Sequence, residues 1–307
     1  MTQNKHMWKK FNFIDYLDIE KNEIRDLPDG VSISTMCGNC KLGGSLTLQN
    51  IIKFLPLNSN DILTVKVNKE KMRSLIPVKE KKRRTTKNTV KKASPFYNQV
   101  TVVVRIYEGD YTDLNEEKKI NLKLFKNGSI QISGLKKLEY TNRALNKLIY
   151  RLSEIKGRMI DSKIETIKFI ENNLKLTVKD FNIYMINSNY KVNMKIDRSK
   201  LFTLLLKKKI KASYEKCIRA CVIVKFIPEK SNDEEKEVSI FIFEKGNIII
   251  TGARNMVHII ESYNYINNIL LTHTEEIIKK DDEVEGELIL KFYQDIIKEN
   301  NNKLNIQ

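Results

Sequence analysis

An α+β fold built from two related units is expected from three features of the chain. The first is a motif that occurs twice. Residues 124–134, LFKNGSIQISG, return as residues 242–252, IFEKGNIIITG, so the pattern F-x-x-G-x-I-x-I-[ST]-G repeats at one offset, 243 − 125 = 252 − 134 = 118. The second is that both copies have the same neighbours: an apolar strand before (100–106; 220–227) and a helical pattern after. The third is alternation of apolar and polar residues on both sides of the motif, which gives each sheet one buried and one open face. Repeats of this kind place the fold class ahead of any single element.

Each unit opens with a strand and a short helix, residues 33–42 then 47–55 in the first, 184–196 then 199–206 in the second. In the hairpin of the first unit, Ile120, Leu122 and Leu124 take one face with Ile130 and Ile132, while Asn121, Lys123, Phe125, Ser129, Gln131 and Ser133 take the other. The pair Asn127-Gly128 between the strands is the chemistry a tight hairpin turn prefers. In the second unit Val238, Ile240 and Ile242 point inward, and Ser239, Phe241, Phe243, Ile249 and Thr251 outward. A long helix then covers the inward face. Its apolar stripe is Leu138, Leu145, Leu148, Ile149 and Leu152 in one unit and Met256, Ile259, Ile260, Tyr263, Ile266 and Leu270 in the other. The resulting division is an N-terminal extension (1–30), a first repeat (31–156), a second repeat with its lead-in (157–274) and a charged C-terminal extension (275–307).

Helices cover one face only, so the opposite face presents Phe125, Phe241, Phe243, Val103, Ile223 and Ile249 among Arg105, Lys123, Lys225, Gln131, Ser133 and Thr251. A face of that composition requires a partner. It can be buried by residues 1–30 or 275–307, by a second copy of the chain, or by a ligand with an apolar, oxygen-rich surface and charged edges, such as a DNA minor groove.

The formal net charge of +17 points toward a polyanion. Much of the excess lies in residues 66–92, where twelve Lys and Arg stand against Glu70 and Glu80, a balance of 12 − 2 = +10. Lys81, Lys82, Arg83 and Arg84 are its densest run, readable as a solvated loop, a nucleic-acid arm or a nuclear-import signal. The longest apolar stretches fall far short of the roughly 20 residues of a membrane-spanning helix, and the charged N-terminus lacks a secretory apolar core. An intracellular protein without a membrane partner is expected.

Catalytic chemistry finds little support. Cys37 and Cys40 are three positions apart in a strand and point to opposite faces, and they lie far from Cys217 and Cys221, so a zinc module or redox pair is not expected and the cysteines read as small buried residues. His6, His258 and His273 have no cysteine or carboxylate partner that spacing recommends. No phosphate-binding or dinucleotide-binding glycine motif occurs. A non-enzyme without a cofactor is the expectation.

The chain resembles the TATA-box-binding proteins over residues 31–274. Residues 34–42, STMCGNCKL, look like the family's first strand S-T-V-N-L-G-C-K-L, and residues 125–136 and 243–254 are similar to its F-x-S-G-K-x-V-x-T-G-A-K hairpins. Tyr214-Glu215 followed by residues 222–227 is similar to the family's Y-E-P and L-I-Y-R-M-I. The resemblance implies a saddle of two pseudo-symmetric curved antiparallel sheets, helices on the convex side, whose concave face lies in a widened minor groove and wedges phenylalanines into base steps. By position, Phe125 and Phe243 match the wedges, and Ser133 and Thr251 match threonines that hydrogen-bond bases. Gln131, Ile249, Val103, Ile223, Phe241 and Asn187 then fall along the groove, and Arg105, Lys225 and Lys123 at the phosphates. Implied partners are AT-rich promoter duplex, a transcription factor IIB-like protein and RNA polymerase; the oligomeric state stays open.

Departures from the family pattern are specific. The second wedge positions read Gln99 and Arg219, with Phe96 and Tyr97 near the first. The central base-contacting asparagines fall at Val31 and Met185, with Asn187 on the latter's strand face. The loops between the wedge strands carry Glu108, Asp110, Asp113, Glu116 and Glu117, and Glu229, Asp233, Glu234, Glu235 and Glu237, which phosphate repels, so they are expected to face protein or solvent. The abundance of Lys, Asn and Ile suggests a diverged lineage such as large DNA viruses with AT-rich genomes, acting in the nucleus, at a cytoplasmic site of viral transcription or from within a virion. The alternative reading is a protein-interaction scaffold on the same fold that no longer bends DNA.

Overall fold

The computed structural model describes residues 26–67, 72–77, 98–107, 117–160, 162–171, 176–229 and 236–279. The basic run Lys81 to Arg84, the aromatics Phe96 and Tyr97, most of both acidic loops and His6 lie outside the described residues. Two compact units are formed, the described residues of the first lying within Ile33–Ser188 with Gly252–Met256, those of the second within Asn189–Thr251 with Pro28–Ser32 and residues 257–279.

The first unit contains β1 (Ser32–Leu42), α1 (Leu48–Phe54), β2 (Ile62–Lys66), β3 (Met72–Ser74), β4 (Gln99–Tyr107), β5 (Glu117–Phe125), β6 (Ser129–Leu135), α2 (Leu138–Leu152) and the greater part of β9 (Val178–Lys191). Its strand order is β9-β1-β6-β5-β4-β2-β3. A separate two-stranded ribbon, β7 (Lys156–Ile160) with β8 (Lys163–Ile167), follows α2. The alternation read from sequence is realised residue by residue. Val100, Val102, Val104 and Ile106 of β4, Ile120, Leu122 and Leu124 of β5, and Ile130, Ile132 and Leu135 of β6 are all fully buried, and α2 packs on β4 and β6.

The second unit contains the end of β9, α3 (Arg198–Lys207), β10 (Ala212–Ser213), β11 (Cys221–Phe226), β12 (Val238–Phe243), β13 (Asn247–Ala253), α4 (Met256–Thr272) and α5 (Thr274–Ile277). The order β10-β11-β12-β13 reproduces β2-β4-β5-β6, and Val222, Val224, Val238, Ile240, Ile242, Ile248 and Ile250 form the buried layer. Asp197 caps α3, its carboxylate accepting from the amides of Ser199 and Lys200 at 2.9 and 3.0 Å, which starts that helix at Arg198.

The same main-chain clasp closes both hairpins. The amide of Leu42 donates to the Gly128 carbonyl and that of Leu46 to the Lys126 carbonyl, at 2.9 and 2.8 Å. The amides of Val192 and Ile196 do the same to Gly246 and Glu244, also at 2.9 and 2.8 Å. Gly128 and Gly246 take φ of +79° and +78°, the left-handed region only glycine adopts without strain. A Cβ on Gly128 would strike the Gly44 carbonyl oxygen and lie 2.8 Å from that of Leu42; one on Gly246 would strike the Val192 carbonyl oxygen and lie 2.7 Å from that of Met194.

Three details differ from the sequence reading. The strand expected over 184–196 runs from Val178 to Lys191, because beyond it Val192 and Ile196 spend their amides on the hairpin clasp. In α4 the buried positions are His258, Ile259, Ser262, Ile266 and Leu270, while Met256, Ile260 and Tyr263 are only half-buried; the helix is rotated so that two small or polar residues face inward. Lys147 of α2 is 2% exposed although its charge reads as surface.

Candidate nucleic-acid interface

The face away from the helices in the first unit is defined by cross-strand pairs. Thr101 stands opposite Lys123, Val103 opposite Asn121, Arg105 opposite Lys119 and Gln99 opposite Phe125, and Gln131 stands opposite both Lys123 and Asn39, Ser133 opposite both Asn121 and Cys37. Phe125, Val103 and Ser133 are half-buried, and Lys123 and Gln131 exposed. The strip is a lattice of hydrogen-bonding side chains carrying cations at its margin and one phenylalanine at its end.

In the second unit the corresponding face is apolar. Ile223 pairs with Phe241, Phe241 with Ile249, Lys225 with Ser239 and Ser239 with Thr251. Phe241, Phe243, Ile249 and Thr251 are half-buried. Ile223, expected among the exposed residues, is only 4% exposed and contributes little surface. Thr251 and Asn187 each have an interaction partner within the chain.

The residue across from Phe243 is Cys221, not Arg219, which lies exposed before the strand with its amide on the Glu215 carbonyl at 2.8 Å. Both β4 and β11 set their first residue against the hairpin phenylalanine, and it is the sequence matching of Gln99 to Arg219 that is off by two residues. By the same two-residue offset Lys225 stands beside Ser239 and Arg105 beside Lys119, so the two cations matched by sequence do not occupy equivalent rungs.

Arg105 and Lys225 have carboxylate partners. The Arg105 guanidinium lies 3.0 Å from Glu117, which Lys119 approaches at 3.2 Å, and its other end donates to the Ser59 carbonyl at 2.7 Å. Lys225 lies 2.8 Å from Glu237, which Lys211 approaches at 2.6 Å, and donates to the Ser239 hydroxyl at 2.8 Å. Burial alone would raise the Glu117 carboxyl, but the hydrogen bond and charge of Lys119 and the charge of Arg105 outweigh it and hold it below the usual carboxylate range. Hydrogen bonds from Lys211 and then Lys225 bring Glu237 down to about 2. These two glutamates, expected to face protein or solvent with the rest of their loops, turn onto the cations instead. Their signal in the sequence is position: Glu117 opens β5 and Glu237 immediately precedes β12, each next to its loop.

Among the cysteines, Cys37 and Cys40 pair with Ser133 and Ile130 on opposite faces of β1, and both thiols are pushed up by burial, Cys40 to about 12. Cys217 is exposed, contrary to the expectation that all four are buried, because it precedes β11 rather than lying in it. His273 does have a carboxylate neighbour, Glu276, at 2.7 Å, one turn along in α5. Among the described residues no group of three or more His, Cys, Asp or Glu is placed to hold a metal ion, and no helix is long and apolar enough to cross a membrane.

No model of a protein family matches the sequence. A protein of Acanthamoeba polyphaga mimivirus described as TATA-box-binding protein-like is 35% identical over 263 residues, which cover 80% of this chain and 66% of the relative, just under two thirds of its length. Among solved structures, the Methanococcus jannaschii TBP is similar with a TM-score of 0.43 and 17% identity, covering 80% of this chain and 98% of that one. With the strand-and-helix order, the paired hairpins and the identity to the viral relative taken together, the chain belongs to the TATA-box-binding protein-like family.

Proposed function

We propose that the chain is a transcription initiation factor that binds and bends AT-rich duplex DNA through the minor groove and recruits a transcription factor IIB-like protein and RNA polymerase. The observation that carries this reading is the placement of Phe125 and Phe243. Each ends the first strand of a clasped hairpin on the face away from the helices, half-buried, with polar and apolar neighbours suited to base edges and sugars. Ser133, Thr251, Gln131, Ile249, Val103, Phe241 and Asn187 are proposed along the groove, Ile223 as a buried support, and Arg105, Lys225 and Lys123 at phosphates. Lys81, Lys82, Arg83 and Arg84 are proposed as a basic arm that adds sequence-independent attraction. The sequence repeats 31–156 and 157–274 would each supply one half of the contact. The lineage is proposed to be viral, with the chain acting inside the cell, at the nucleus or a cytoplasmic site of viral transcription, or carried in a virion.

A protein-interaction scaffold is the second reading, favoured by Gln99 and Cys221, which stand where a second aromatic beside each wedge would sit. A fluorescence bend-and-binding titration on AT-rich and GC-rich duplexes at two salt concentrations separates them. Salt-resistant, AT-selective bending lost in the Phe125→Ala, Phe243→Ala double variant supports the initiation factor. Weak, salt-sensitive and unselective binding without bending supports the scaffold.

A further inference from the structure

Resting on the proposed DNA reading, we propose that Glu117 and Glu237 are built-in competitors for phosphate, each occupying a pair of cations that a duplex backbone would otherwise engage. Glu117 opens β5 and draws its two cations from different strands, Arg105 of β4 and Lys119 of β5. Glu237 immediately precedes β12 and draws Lys225 of β11 and Lys211, which precedes β10. Both units thus pair a glutamate with two cations, although the residues involved stand on different rungs.

The geometry suits displacement. Lys225 and Glu237 have side chains 37% and 31% exposed, so an approaching phosphate reaches that cation without unfolding a strand. Arg105 and Glu117, at 20% and 30%, are more enclosed, their facing Nε and Oε1 atoms being buried, so a phosphate reaches Arg105 as the Glu117 side chain swings away. Ion pairs at that degree of exposure are weak enough to open. A carboxylate is also a fair chemical stand-in for a phosphate oxygen, since both accept from guanidinium and ammonium donors. While the glutamates are in place, a random polyanion meets cations that are already neutralised. A duplex that fits the rest of the face displaces the carboxylates and gains the phosphate contacts as well. The glutamates therefore lower affinity for all DNA and lower it most, in relative terms, for DNA that offers nothing but charge. Removing them is expected to tighten binding and blunt selectivity.

The test is a salt titration of the full chain and its Glu117→Gln, Glu237→Gln and doubly substituted variants on an AT-rich duplex, a GC-rich duplex and heparin. The double variant is expected to bind the AT-rich duplex roughly 10-fold more tightly at low salt, with a log K against log salt slope steeper by about 0.9 for each phosphate contact freed. The AT-to-GC preference should fall, and adding Arg105→Gln to Glu117→Gln should cancel that variant's gain. Unchanged affinity and slope, or a loss of affinity that marks the glutamates as holding the cations in position, overturns the proposal. If the wild type bends AT-rich duplex and the slopes do not move, this inference fails and the DNA reading stands. If the wild type shows no AT preference and the variants gain alike on heparin, the competitors stand and the DNA reading fails.

Discussion

The buried ammonium of Lys147 donates to the main-chain carbonyl of Arg105 at 2.7 Å, tying α2 to the back of the strand whose front carries the Arg105 guanidinium. It donates equally to the Asn60 carbonyl at 2.7 Å. Burial pushes Lys147 down to about 8; Asp61 opposes that, while Arg105 and Arg143 add to it. A lysine whose folded value lies below its unfolded one near 10.5 binds fewer protons folded than unfolded between those values. The penalty for burying the charge is full below about pH 8 and is relieved as pH rises toward 10.5, so stability from this group increases across that window. The relief is on the order of 3 kcal/mol. Urea unfolding at pH 7.5 and 9.5, an interval that takes in about 2 kcal/mol of that relief, is expected to show a difference between wild type and Lys147→Met, the variant lacking the alkaline gain.

Asp61 and Arg151 form a second buried charge contact of the first unit. Two Arg151 nitrogens donate to one Asp61 oxygen at 2.8 and 2.6 Å, the side chains being 7% and 16% exposed. Arg151 also donates to Glu154 at 2.9 Å, so Asp61→Asn leaves the guanidinium one carboxylate, whereas Arg151→Met strands the buried Asp61. Arg151→Met is therefore expected to cost roughly 3–5 kcal/mol and Asp61→Asn less. The double variant should cost less than the sum, and a double-mutant cycle by chemical denaturation measures the difference.

Substituting alanine at Gly246 or Gly128 is expected to destabilise the hairpin clasp by at least about 1–3 kcal/mol, from the left-handed φ alone. The added methyl also meets main-chain carbonyls that cannot rotate away. Thermal melts of the two variants should both fall; an unchanged melting temperature in both would remove the clasp from the account.

Phe243→Ala is expected to reduce duplex bending more than it reduces salt-sensitive binding, whereas neutralising Lys81 to Arg84 should do the reverse. Bend angle and salt slope measured on the same complexes distinguish the two, and equal effects from both changes would contradict this division of labour.

The buried layer of both sheets was legible in the sequence because a strand reports its faces by alternation, and Ile120, Leu122, Leu124, Val238, Ile240 and Ile242 are buried as that rule requires. The hairpin turns were legible through Asn127-Gly128 and Gly246. What escaped was register and rotation. Nothing local fixes which residue of β11 faces Phe243, because the loop between the strands is long and its length does not set where the pairing begins; hence Cys221 in place of Arg219. The orientation of α4 was misread because a helix rich in Ile, Tyr and Leu offers several apolar stripes, and the buried one contains His258 and Ser262. The pairing of Glu117 with Arg105 and of Glu237 with Lys225 was hidden for a simpler reason: charge composition says how many carboxylates a loop holds, not which way they turn.

The clasp on each hairpin has a mechanical consequence. The amide of Gly128 bonds the Phe125 carbonyl and that of Gly246 bonds the Phe243 carbonyl, each at 3.0 Å, while the same glycines accept from Leu42 and Val192. A push on either aromatic ring is thus passed through main chain into β1 or into the residue that follows β9, rather than spent in flexing the turn. Such a tip is stiff, and its length is fixed, since one inserted residue would pull both bonds out of line.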